Sequence, residues 1–172
     1  MTSDVQVKGL AELQAALDTL APRIEANIMR QALKAGAKVL ADEARTNVHT
    51  ISGKLAESVR YGAKVNKVSG KVAAYVRAGG RKGKKAAFYA AMVEHGTAAH
   101  VIKARPPNKM LAVGVAAVHH PGAKMKPFMR PAIDTRGQAA IQRIAEYIRT
   151  RLADKHGIDV PAPVDPQAEP DE

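Results

Sequence analysis

The chain has 172 residues, 46% of them hydrophobic and only 3% aromatic, with no Cys and a formal net charge of +11. That length suits one domain with an aliphatic core, and the composition excludes disulfides, thiolate chemistry and Cys-based zinc sites, while so few rings argue against a stacking surface for single-stranded nucleic acid. The charge is uneven: residues 157–172 hold five acids and no Lys or Arg, so residues 1–156 carry +16, a field that attracts polyanions or an acidic protein surface.

The first residues, Met1-Thr-Ser-Asp-Val, lack the basic-then-apolar layout of a signal peptide. No run of 18 apolar residues spans a membrane, so synthesis and use in a cytoplasm are expected. Leu10, Leu13, Leu17 and Leu20 recur at helical spacing and predict a short helix over 9–20. Pro22 interrupts it and restarts a long helix that runs to about Asn47. Its apolar stripe is Ile24, Ile28, Ala32, Ala35 and Val39; its outer face carries Arg30, Lys34, Lys38 and Arg45. Residues 50–55 read as a turn. Residues 58–65 and 71–77 then alternate apolar with polar and predict a β-hairpin joined through 66–70.

Residues 79–85, Gly-Gly-Arg-Lys-Gly-Lys-Lys, read as a flexible basic loop. A short helix is expected over 86–94, ended by Gly96. Short strands are expected at 100–103 and 110–115, split by Arg-Pro-Pro-Asn at 105–108, and a turn at 119–122. A second long helix opens near Pro131 and stops at Gly157, with Ile133, Ala140, Ile141, Ile144, Ile148 and Leu152 on one face. The Pro-rich acidic end has too little apolar surface to pack. The expectation is therefore an α+β fold: a small antiparallel or mixed sheet covered by a long N-terminal and a C-terminal helix. Residues 1–156 form the domain and 157–172 a disordered tail.

Chemistry finds little support. Six histidines include none at metal-site spacing, so no metal or other cofactor is expected. The 79–85 loop lacks the phosphate-loop pattern, since Gly83-Lys84 is followed by Lys85 and residue 78 is Ala. No serine sits in a nucleophile elbow. Glu94 is the only acid between Glu57 and Asp134. It reads as the cap of a turn or a partner of Arg130, in preference to a catalytic base. No helix-turn-helix or zinc finger can be assembled.

Three segments carry a resemblance. Residues 52–59 read Ser-Gly-Lys-Leu-Ala-Glu-Ser-Val, residues 88–97 read Phe-Tyr-Ala-Ala-Met-Val-Glu-His-Gly-Thr, and residues 120–132 read His-Pro-Gly-Ala-Lys-Met-Lys-Pro-Phe-Met-Arg-Pro-Ala. In this order they resemble the neck, or head–tail joining, family of long-tailed bacteriophages, named after the tenth gene product of a lambdoid phage. The departures are mild: Ser52 for Thr, Val59 for Ile, His95 for an aromatic, Met129 for Leu. The matching positions are Gly53, Leu55, Ser58, Tyr89, Val93, Glu94, Gly96, Thr97, Pro127, Phe128, Arg130 and Pro131. Read from the residues, they are architectural. Gly53 and Gly96 permit chain reversals, and Pro127 and Pro131 bracket Phe128 as an anchor before the helix.

The resemblance implies a non-catalytic virion subunit at the head–tail interface, of tail-completion or terminator type. It implies a ring, a hexamer at the sixfold tail end, with neighbouring neck and tail proteins as partners. DNA would pass through without sequence reading. Lys34, Lys38, Arg81, Lys82, Lys84 and Lys85 are then the candidate channel or partner contacts. Two other readings compete: a nonspecific nucleic-acid-binding protein, and a hydrolase using Glu94 with the central histidines.

Overall fold

The computed structural model describes residues 10–20, 22–49, 53–66, 68–80, 87–104, 111, 114 and 116–160. Arg81, Lys82, Lys84, Lys85, Ser52, the 105–108 segment and the acidic stretch after residue 160 lie outside them. Within the described residues five helices and four strands follow in the order α1 (Leu10–Asp18), α2 (Pro22–Thr46), α3 (Lys54–Ser58), β1 (Arg60–Val65), β2 (Val72–Arg77), α4 (Ala90–His95), β3 (His100–Lys103), β4 (Ala117–His120) and α5 (Met129–His156). The fold is α+β, with small antiparallel sheets and long N- and C-terminal helices. The chain divides into two compact units, one of residues 1–43, 60–77 and 132–172, the other of residues 44–59 and 78–131. No described helix is long and apolar enough to cross a membrane.

The first unit is built on helix packing. Leu13 and Leu17 of α1, Ile28 and Ala32 of α2, and Ala145, Ile148 and Leu152 of α5 form one buried cluster. Val160 completes it at 7% exposure, so packing continues past the expected boundary at residue 156. Small residues let α2 and α5 approach closely. A Cβ on Gly36 would sit 2.6 Å from Ile144 Cγ1 and 2.9 Å from the Ala140 carbonyl oxygen. The expected apolar stripes are partly displaced: Ile24 and Ile133 are exposed, while Ala37, Ala41 and Ala44 are buried. A wide stripe of mixed residues does not say which edge is buried, and here the edge of small side chains is.

The predicted first hairpin is present, with β1 antiparallel to β2 and Arg60 opposite Arg77, Gly62 opposite Tyr75, and Val65 opposite Val72. Asn66 makes its turn: Oδ1 accepts from the N–H groups of Val68 and Ser69 at 2.9 and 3.2 Å. The single expected sheet is in fact two. β3 pairs only with β4 among the described residues, His100 opposite His120 and Ile102 opposite Val118. Alternation marks a strand but not the edge it joins, and each hairpin satisfies its own ladder locally. Most of the strand expected at 110–115 lies outside the described residues; the last described strand, Ala117–His120, takes in both histidines assigned to a turn. The expected turn at 50–55 gives way, within the described residues, to the helix α3.

Candidate functional site

Residues of all three motif segments fall in the second unit. Gly53 opens α3 with φ 66°, and α3 buries Leu55 and Ser58 completely. A buried hydroxyl needs partners, and Ser58 has two: its Oγ donates to the Leu55 carbonyl at 2.7 Å and accepts from the Gly79 N–H at 2.9 Å. Arg45, at the end of α2, donates to the Val59 carbonyl at 2.8 Å. The first motif is therefore tied by one side-chain hydrogen bond to the end of α2 and by one to the chain beyond β2.

Tyr89 precedes α4 and stands edge-to-face with Phe88, ring centroids 5.8 Å apart. Half-buried Val93 offers its carbonyl to the Lys126 N–H at 2.8 Å. Gly96 ends α4 with φ 72° and lies so close to the 123–125 strap that a Cβ would come 2.7 Å from the Ala123 oxygen. Any other residue would meet both a strained backbone and a clash. Thr97 then forms a two-way bridge with Ala123, at 2.9 and 3.1 Å, and its Oγ1 also accepts from the Ala123 N–H at 2.9 Å.

Glu94 is the centre of this junction. Its Oε2 accepts from the N–H groups of Phe128 and Met129 at 2.8 and 2.9 Å, and Oε1 accepts from that of Arg130 at 3.0 Å. A helix leaves its first four N–H groups without intrahelical acceptors. For α5 these belong to residues 128–131. Glu94 satisfies three, and Pro131 has no N–H to satisfy. The negative carboxylate also sits where the helix dipole is positive. Burial alone would raise the pKa of Glu94. The three backbone donors and the positive field of His95 outweigh it and hold the carboxyl below its ordinary value of 4.5. Arg130 is thus a partner through its backbone, and α5 starts two residues earlier than expected. Phe128, the N-cap residue, is 1% exposed, and its carbonyl accepts from Asn47 Nδ2 at 3.4 Å. Pro127 is exposed and Pro131 half-buried on either side of it.

Chemically this is a clamp. All of the hydrogen bonds to Glu94 engage its charged form, which leaves it a poor proton acceptor. Among the described residues no group of three or more His, Cys, Asp or Glu is placed to hold a metal. The His100 and His120 rings lie 5.1 Å apart across β3–β4, each with Nδ1 engaged by backbone. Of the candidate cations, Lys34 is exposed on α2, and Lys38 is ion-paired with Asp42 at 2.6 Å. Sequence reasoning missed Arg45, Asn47, Gly79 and Ala123, which act mostly through backbone or single hydrogen bonds and leave no pattern in the sequence.

The family model of the bacteriophage HK97-gp10-like tail component matches residues 11–96, half of the chain, from α1 through Glu94 to Gly96. No curated protein and no solved structure shows a significant match. With motif residues of all three segments gathered in one unit, the chain belongs to the HK97-gp10-like family of bacteriophage tail components, structural proteins of phage assembly that are not enzymes.

Proposed function

We infer that the protein is a neck subunit of tail-completion type, which assembles as a closed ring, a hexamer, around the DNA channel and joins tail to head. The observation that carries this reading is the bare β3–β4 hairpin. Every residue of both strands is exposed except half-buried His120, and Val101, Ile102 and Val118 present apolar side chains at 53%, 36% and 39% exposure. A two-stranded hairpin with neither face packed is marginal by itself. A neighbouring subunit that covers it would stabilise both. The same unit exposes Phe88, Met92 and Met125, the apolar and thioether side chains typical of adaptable interfaces. Two different patches on one subunit are what a head-to-tail ring requires.

In this reading the motif residues, with Glu94 at their centre, hold the subunit's shape. The chain through Val160 works as one joining domain, and the acidic segment after it is left for a neighbour. Lys34, Lys38 and the cations at 81, 82, 84 and 85 are the contacts to channel or partner. Native mass spectrometry across protein concentration and salt tests the reading. A discrete hexamer supports it; a monomer at every concentration, alone and with isolated tails, overturns it.

A further inference from the structure

Residues 58–93 contain no Asp or Glu, yet hold nine of the chain's 27 Lys and Arg. The β1–β2 hairpin gives part of this charge a defined shape. Directly paired residues of an antiparallel ladder share a face. Arg60 with Arg77, Gly62 with Tyr75, and Lys64 with Ala73 therefore line one side. On that side all three cations are exposed, whereas Tyr61, Val65, Val72 and Val76 on the other side are half-buried.

Tyr75 organises the exposed side. A Cβ on residue 62 would come 2.7 Å from its Oη, so the ring lies across Gly62. The Arg77 guanidinium sits 4.6 Å and the Lys64 Nζ 5.8 Å from the ring centroid. Cation–π contact steers these charges without cancelling them, as a carboxylate would. Arg60 and Arg77, directly opposite each other, concentrate positive charge at one end of this face.

We propose that this face of the β1–β2 hairpin binds the phosphate backbone of duplex DNA. The inference deepens the proposed function and rests on it for its setting, since it names the face that meets the passing DNA. The chain's own acidic segment is the other anion at hand, but only four acids follow residue 160, against nine cations in residues 58–93. Duplex DNA carries one charge per about 1.7 Å of its axis. Arg60 and Lys64 are roughly 13 Å apart along β1 at the usual strand rise, so the face spans several phosphates. The Tyr75 ring is already engaged by Gly62 and by the Arg77 and Lys64 cations, and a single ring is a poor platform for stacked bases. Binding is therefore indifferent to sequence and does not favour single strands.

The test is fluorescence anisotropy of the full chain with a labelled duplex of mixed sequence, across salt. Replacing Arg60, Lys64 and Arg77 together by Gln weakens binding at least about tenfold and flattens the slope of log affinity against log salt by about 2 to 3. The same charge removed from α5, by Arg143→Gln, Arg151→Gln and Lys155→Gln, changes the slope far less. The double variant Arg60→Lys, Arg77→Lys retains binding, which separates loss of charge from loss of fold. Equal losses in the two triple variants, or wild-type binding by the hairpin variant, overturn the proposal. So does a wild-type chain that ignores DNA until Asp165, Glu169, Asp171 and Glu172 are neutralised, since the acidic segment then owns the face. Native mass spectrometry of the same samples keeps the two readings apart. A ring that does not bind DNA sinks this inference alone, and a monomer that binds it sinks the ring alone.

Discussion

Glu94 shows how one side chain stands in for a whole turn of helix. Three N–H groups converge on its two oxygens, and a proline supplies the fourth position. Glu94→Gln keeps the shape but removes the charge and half of the acceptor capacity. Losing such a cap costs about 1 to 2 kcal/mol, read as a lower urea midpoint with an unchanged slope. The pH dependence has a definite sign. A folded-state pKa below the ordinary 4.5 makes the contribution complete above that value and removes it as pH falls through the lowered one. The wild-type advantage over Glu94→Gln should therefore be present at neutral pH and shrink in acid; an advantage that grew in acid would contradict the clamp. Ser58→Ala removes both buried hydrogen bonds of the hydroxyl, to the Leu55 carbonyl and from the Gly79 N–H, at a cost of about 1 to 3 kcal/mol by the same melts. At this scale the sequence was half legible. Glu94 stood out as a lone acid in an apolar segment, but its partners are backbone amides, which look the same in every residue.

Among the elements, the α2–α5 contact is the one most sensitive to a single atom. Gly36→Ala would gain about 1 kcal/mol of helix propensity. The added Cβ meets the Ile144 side chain, which can turn away, and the Ala140 carbonyl, which cannot. The net effect is a loss of about 1 to 3 kcal/mol, measurable as a drop in melting temperature; a more stable variant would show that the helices sit further apart. The long helices and the first hairpin were legible because periods of 3.6 and 2 run through them. The packing edge of α2 was not, because Ala37, Ala41 and Ala44 give a weaker signal than Ile24, which turns out to be exposed. Nor was the position of β4. The His119-His-Pro-Gly sequence resembles a turn, yet both histidines pair with β3.

For the whole molecule, the sequence spoke through resemblance and charge more than through pattern. No period reveals that a hairpin will lack cover on both faces. The exposed side chains make a clean experiment possible. Ile102→Lys with Val118→Glu puts opposite charges across the β3–β4 ladder at two partly exposed positions, so the melting free energy of the subunit should change by less than about 1 kcal/mol. If the hairpin is the ring contact, native mass spectra should shift from hexamer to monomer. A hexamer that survives both substitutions would move the contact elsewhere, with the Phe88, Met92 and Met125 patch next to be tested.

The way Glu94 reads its target has a consequence for tolerance to change. A carboxylate that recognises amide groups is blind to the side chains that follow them, so residues 129 and 130 are free to vary to anything but proline as far as the clamp is concerned. Position 94 has no such latitude. Position 131 has a different restriction, because any residue other than proline there adds an amide hydrogen that the first turn must find an acceptor for. A saturation library selected for folded protein would thus show a sharp alternation: closed at 94, open at 129 and 130, and narrowed again at 131.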